Sequence, residues 1–290
     1  MPQSKVFGTC VSRRQRQKTI GGCIVSPQQL WRQPQWTHKN TAAAIRCLSN
    51  RSVWVLGNSV ARHWAFALAA ILHGVTHPKQ MSATNREMEK ERCGRGGAWG
   101  GQRPNSSAPQ ACRGACACDF DVRSRLGPHA ALLFKWNFAL DDTMLGIGFA
   151  DLMTSGVPES LLREGGGEIS PGLAPPDILI YNAFQQSQRA PALAAQVTRA
   201  LKARPGFHFY WRATTAMCDS DKAVRADHNE GICKLNERIE RHLCQGTRQV
   251  RLLDGFGWTI HRCDGYDDRM HHSGLAFDHV TAFLRQECRM

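Results

Sequence analysis

A chain of 290 residues, 42% of them hydrophobic, is long enough to bury a sizeable core and has the composition of a globular protein. It contains no apolar run of the roughly 18 residues that a membrane-spanning helix needs. The formal charge of +13 suggests a nucleic-acid partner until it is located. Residues 1–86 carry 12 Lys/Arg and no Asp/Glu, and the other 25 basic residues face 24 acidic ones, so the body is nearly neutral and nucleic acid is not favoured.

Residues 1–45 show no sustained period and read as a poorly ordered basic arm, with Trp31 and Trp36 expected to dock on the domain formed by residues 46–290. The start, MPQSKVFGTCVSRRQRQKTIGG, has a basic cluster without a following apolar stretch of secretory type. Twelve cysteines nevertheless point to a disulfide-permissive compartment, the lumen of the secretory pathway or the cell exterior.

The run Val53-Trp54-Val55-Leu56 suits a strand buried on both faces, and Gly57-Asn58-Ser59 turns it directly into a helical pattern over 61–75, with Trp64, Leu68, Ile71 and Leu72 on one stripe. From Lys79 to about Pro128 the chain is rich in Gly, Arg, Ser and Pro and is expected to be an inserted loop. Its Arg-Gly content, with the basic arm, is equally compatible with sequence-independent RNA contact and with solvated filler. Its Cys112, Cys116 and Cys118, with Cys93, lack the paired C-x-x-C spacing of zinc knuckles and read as disulfides or thiols.

Further strands are predicted at 131–136, at Ile178–Tyr181 ending in Asn182, at 207–215 with Arg212 at the exit, and at 250–256. Helices are predicted at 190–203, from about 230 to 244, and from 275 to about 288. This alternation specifies an α/β fold with three layers, a doubly wound and mostly parallel sheet of about five strands. Ligands of such sheets bind at the carboxyl ends of the strands, where Ser59, Asn182, Arg212 and the loop 261–274 should converge.

At a strand-to-helix turn Ser59 is either a helix cap or a nucleophile. A serine nucleophile needs a base held by an acid, and Asp268-Arg269-Met270-His271 supplies both on one turn, with His272 as the alternative base. Asp264, Asp267, Asp268, His271, His272 and His279 also form an Asp/His cluster that suits a divalent ion, although the spacing fits no tight ligand pattern. Arg62 and Arg212 are candidate substrate contacts, and Trp64 a packing residue.

GNSVAR, the strand-end Asn182 and DRMH together resemble the SGNH/GDSL hydrolases, in particular the branch of PC-esterases and trichome-birefringence-like polysaccharide O-acetyltransferases. The stretch CLSNRSVWVLGNSVARHW is similar to that branch's Cys-Leu pair, basic turn, strand and GDS-x-x-R, and FYWRATTA and LNERIERHL…RLLDGF resemble its later blocks. The resemblance spans residues 47–288. It implies an SGNH/flavodoxin-like sheet, Ser59 as nucleophile, His271 as base, Asp268 as its orienter, and an oxyanion held by Asn182 beside the Ser59 N–H. The family's further glycine donor has only Gly146 or Gly148 as positional candidates. Where the family has GDS this chain has GNS, and an amide should still make the bracing hydrogen bonds of the turn.

The expected activity is that of a serine esterase or O-acyltransferase, acetyl by preference, acting on a small or polysaccharide ester of a hydroxylated substrate, with no cofactor. Two alternatives stand beside it: a non-catalytic carbohydrate- or polyanion-binding protein on the same fold, and a metal-dependent hydrolase using the C-terminal Asp/His loop.

Overall fold

A computed structural model describes residues 19–20, 23–24, 35–81, 117–120, 122–136, 143–144, 147–156, 174–182, 189–247, 249–263 and 272–290. Its centre is a six-stranded sheet. In chain order the strands are β1 (Ser52–Gly57), β2 (Ala117–Phe120), β3 (Ala131–Trp136), β4 (Ile178–Tyr181), β5 (His208–Arg212) and β6 (Arg251–Leu253). Their order across the sheet is β6-β5-β4-β1-β3-β2. All neighbours are parallel except the edge pair β2/β3. The five parallel strands match the number expected, and the order reverses at β1, whose neighbours β3 and β4 lie on opposite sides. Such a reversal leaves a crevice at the carboxyl ends of the strands, since the connecting helices diverge there to opposite faces.

Both faces of the sheet are covered, because side chains alternate along each strand and apolar residues occupy both alternating sets. Val53, Val55, Leu132, Phe134, Ile178, Ile180 and Tyr210 face one layer, formed by α1 (His38–Cys47), α2 (Ser59–Leu72) and α7 (Ser273–Cys288). Trp54, Leu56, Leu133, Leu179, Tyr181, Phe209 and Trp211 face the other, formed by α3 (Phe149–Ser155), α4 (Ala190–Ala203) and α5 (Lys222–Gly246). A short α6 (Gly255–Thr259) follows β6. α2 is apolar all round because β1 and α7 both cover it; Trp64 packs edge-on against Phe283, with ring centroids 5.2 Å apart.

Four boundaries differ from the sequence reading. The ordered body begins before residue 46: Trp36 is buried and donates from Nε1 to Thr41 Oγ1 at 2.9 Å, and Thr37 and Asn40 form a capping box that starts α1. Earlier still, a ribbon of Thr19–Ile20 and Cys23–Ile24 lies beside α5 and β6. The expected insertion is also narrower, since 117–120 adds an antiparallel edge to β3 and the one-turn helix Arg123–Leu126 packs against α1. Short elements like these draw their stability from an edge or core that already exists, so composition hides them. Finally, α5 starts at Lys222 rather than near Glu230, capped by Asp221, whose side chain accepts from Ala223 N and Val224 N.

The amino-terminal edge of the sheet is closed by Glu287 of α7. Its Oε1 accepts from Arg51 at 2.9 Å and faces His208 Nδ1 at 2.6 Å; its Oε2 accepts from Arg251 at 2.6 Å and from the Tyr210 hydroxyl. The neighbouring Cys288 is disulfide-bonded to Cys47 at the end of α1, joining positions 241 residues apart. A second disulfide joins Cys218 to Cys263, Cys233 and Cys244 are bridged as well, and no free cysteine occurs among the described residues.

Burial by itself would raise the Glu287 carboxyl, yet hydrogen bonds from His208 and Tyr210, the His208 charge and Arg51 hold it down at about 2, against its ordinary 4.5. With the folded value below the unfolded one, the unfolded chain binds more protons between these limits, and Glu287 contributes stability that is complete above pH 4.5 and lost as pH falls towards 2. Glu287→Gln should therefore lower stability at pH 7 by about 2–3 kcal/mol. It should also flatten the acid limb of a urea-denaturation series between pH 4.5 and 2; an unchanged acid limb would contradict the assignment.

Candidate active site

The carboxyl end of β1 is shaped by one close approach. A Cβ at Gly57 would stand 2.5 Å from Asn182 O and 2.7 Å from Ala61 Cβ, so only glycine lets β1, β4 and α2 meet there. Asn182 N donates to Leu56 O at 2.8 Å, and the Asn182 side-chain Nδ2 donates to Arg212 O, also at 2.8 Å. Ala213 N then donates to Leu253 O at 2.9 Å. The ends of β1, β4, β5 and β6 are thus tied side by side beyond the last sheet residues, at the crevice where the strand order reverses.

The turn assigns the capping role. Asn58, not Ser59, is the N-cap of α2: its Oδ1 accepts from Val60 N at 3.0 Å and Ala61 N at 3.3 Å. The amide in the GNS turn thus makes the bracing bonds expected of it. Ser59 occupies the first helical position, half-buried, and its backbone N–H is the one among the first three that Asn58 does not bind. The positive end of the α2 dipole lies at this point, with no acidic residue in the first turn to neutralise it.

Asn182 is buried beside the end of β1, to which its backbone N–H bonds, while one of its amide hydrogens is committed to Arg212 O. Arg62 is half-buried in the first turn of α2, with its guanidinium 5.9 Å from the Phe66 ring centroid. Arg212 differs from a surface contact in being fully buried, and its charge is felt by His279.

The segment after β5 is held to α5 by two side-chain amides. Asn236 bonds both Thr214 N (2.9 Å) and Thr214 O (2.9 Å), and Asn229 bonds both Met217 N (2.7 Å) and Met217 O (3.0 Å). Each asparagine gives one donor and one acceptor to backbone that lies beyond the end of β5. Sequence reasoning did not single out these residues; their only signal is a pair of asparagines seven residues apart, on one face of a helix.

Asp268 and His271, like Asp264, Asp267 and Gly146, lie outside the described residues. The described residues fix both ends of the segment that carries the Asp-x-x-His sequence. On the amino side Cys263 is bridged to Cys218, and Arg262 pairs with Asp278 of α7 at 3.0 Å. On the other side His272 is buried and leads into α7, with Ala276 N donating to His272 O at 2.9 Å. One layer deeper His279 stacks on Trp258, with ring centroids 5.7 Å apart and planes 18° apart. Burial first, then electrostatic repulsion from Arg212 and a smaller contribution from His272, push the His279 imidazole well below its ordinary value, so it is neutral near pH 7. No group of three or more described His, Cys, Asp or Glu side chains is arranged to hold a metal ion. Gly148 lies in the two-residue strand Ile147–Gly148, immediately before α3.

Removing the cap by Asn58→Ala should cost about 1 kcal/mol in chemical denaturation, and Asn58→Asp should restore that loss because a carboxylate also favours the positive helix end. Gly57→Ala should cost more, about 2 kcal/mol or above, since neither contact is with the far end of a flexible side chain. A denaturation midpoint for Gly57→Ala within error of the parent would refute the close-approach account.

Compared with protein-family models, with curated proteins and with solved structures, the chain finds no match.

Proposed function

We propose that the protein is a serine esterase or O-acyltransferase that works through an acyl-enzyme, with an acetyl ester of a carbohydrate or similar hydroxylated molecule as substrate. The observation that carries this reading is the division of labour at the GNS turn. Asn58 does the capping, and Ser59 stands at the dipole end of a buried helix, just past the end of β1 beside which Asn182 is buried. A serine needed only to start the helix would occupy the cap position itself. The similarity of GNSVAR and DRMH to SGNH hydrolase motifs supports the same roles and supplies the base.

In this mechanism Ser59 Oγ attacks the carbonyl carbon of the ester as His271 accepts its proton, with Asp268 orienting the imidazole. The carbonyl π electrons move onto oxygen, and the Ser59 N–H and Asn182 amide stabilise the resulting oxyanion. Collapse expels the alcohol, which takes the proton from His271, and leaves the acyl group on Ser59. Water or an acceptor hydroxyl then repeats the sequence in reverse, giving hydrolysis or transfer. Arg212, fully buried, adds a positive potential that favours the oxyanion without touching substrate.

A fluorophosphonate probe should label the parent chain at Ser59 and leave Ser59→Ala unlabelled. His271→Ala should reduce turnover of 4-nitrophenyl acetate by at least about a hundredfold, and Asp268→Asn by less. Labelling that persists in Ser59→Ala would sink the assignment, and a large loss in His272→Ala with none in His271→Ala would transfer the role of base to the neighbour.

A further inference from the structure

At the amino-terminal edge of the sheet, the edge opposite Ser59, a cleft of about 390 Å³ opens beside the starts of β5 and β6. Its walls include Phe207, His208, Gln249, Arg251 and Gln286. The volume lies within the range of small-molecule pockets, roughly 300–1,000 Å³.

The charges of the adjoining cluster are unevenly placed. Two guanidiniums, Arg51 and Arg251, share one carboxylate, Glu287, so positive charge is in excess. The Glu287 side chain is only 1% exposed, whereas those of Arg251 and His208 are 38% and 28% exposed. The cleft is therefore lined by cationic and donor groups, with the negative charge sealed beneath them.

Arg251 is also held in a fixed pose. It bonds Tyr210 and Glu287, and approaches His208, through Nη1 alone, and its Cζ lies 5.3 Å from the Tyr210 ring centroid. These contacts restrain the guanidinium, while Nη2 and Nε make none of the hydrogen bonds within the cluster. His208 likewise makes its contacts in the cluster through Nδ1. A guanidinium whose orientation is set before a ligand arrives loses little entropy on binding, and its planar fork matches two oxygens of one anion.

We propose that this cleft is a binding site for a small oxyanion, a carboxylate, phosphate or sulfate, gripped by the free side of Arg251 with His208 beside it. Gln249 on the wall suits a hydroxyl of a sugar that carries the anion. The site is independent of the esterase reading, because it lies at the opposite edge of the sheet and needs no turnover.

Isothermal titration of the full chain with glucuronate, glucose 6-phosphate, inorganic phosphate and neutral glucose tests it. At least one anion should bind saturably while glucose does not. Arg251→Lys, which keeps the charge and loses the fork, should weaken that anion at least tenfold. Gln249→Ala, an exposed change outside the Glu287 cluster, should weaken the sugar acids several-fold with thermal stability unchanged. Tighter binding of the sugar acids than of phosphate supports a sugar-borne anion, and the reverse order a free one. The proposal is overturned by the absence of saturable binding, or by equal affinity in the parent chain and Arg251→Lys, which is the behaviour of anions held by the basic amino-terminal residues.

Discussion

The candidate site depends on a contact that tolerates no side chain, the approach of Asn182 O to Gly57 Cα. Because glycine stands there, the last residues of β1 and β4 run together where parallel strands would otherwise begin to splay. The ladder of hydrogen bonds then continues past the strands, from Leu56 O to Asn182 N, from the Asn182 side chain to Arg212 O, and from Ala213 N to Leu253 O. Buried backbone groups at strand ends must find partners, and here a side-chain amide supplies one that no strand provides. The Ser59 turn, Asn182 and Arg212 consequently sit on one hydrogen-bonded frame, which is the arrangement an oxyanion site requires of its donors.

The two edges of the sheet use opposite electrostatics. At the amino edge a buried carboxylate gathers Arg51, His208, Tyr210 and Arg251, and the Cys47–Cys288 disulfide fastens the two helices nearest to it. Attraction there outweighs the cost of burial, and Glu287 stays ionised far into acid. At the carboxyl edge the polar groups are mainly amides and imidazoles: Asn58 and Asn182 are uncharged, and His279 is held neutral by burial and by Arg212. Amide donors near a buried guanidinium can stabilise negative charge that develops during a reaction. Stability and candidate chemistry are thus assigned to different ends of the same strands.

Much of this architecture is legible in the amino-acid order. The runs at 53–56 and 178–181 are apolar throughout, and those at 131–136 and 207–212 are mostly so, with Lys135, His208 and Arg212 as exceptions, so they suit strands covered on both sides, and the helical stretches among them imply parallel crossovers. The glycine after Leu56 and the amide-serine pair that follows it mark the turn, and the placement of Asn182 and Arg212 at strand ends brings them to the same edge. What local sequence could not show is which neighbour performs which task. Asn58 and Ser59 are both good caps, and only the hydrogen bonds from Val60 and Ala61 award the role to Asn58.

Tertiary structure alone decided the rest, because the partners are distant in the chain. Glu287 meets Arg51 across 236 positions, Cys47 meets Cys288 across 241, and Asn236 completes the backbone of Thr214 from another helix. The strand at 117–120 exists by virtue of the edge it pairs with, and the helix at 38–47, although its Thr37/Asn40 capping box is local, is held by the helices it packs against. The sequence by itself therefore determined the layers, the direction of the strands and the edge at which ligands should bind, since these follow from local periodicity. The capping residue, the buried ionic clamp and the cationic cleft beside it arose only from the folded chain, since each joins groups that no local pattern relates.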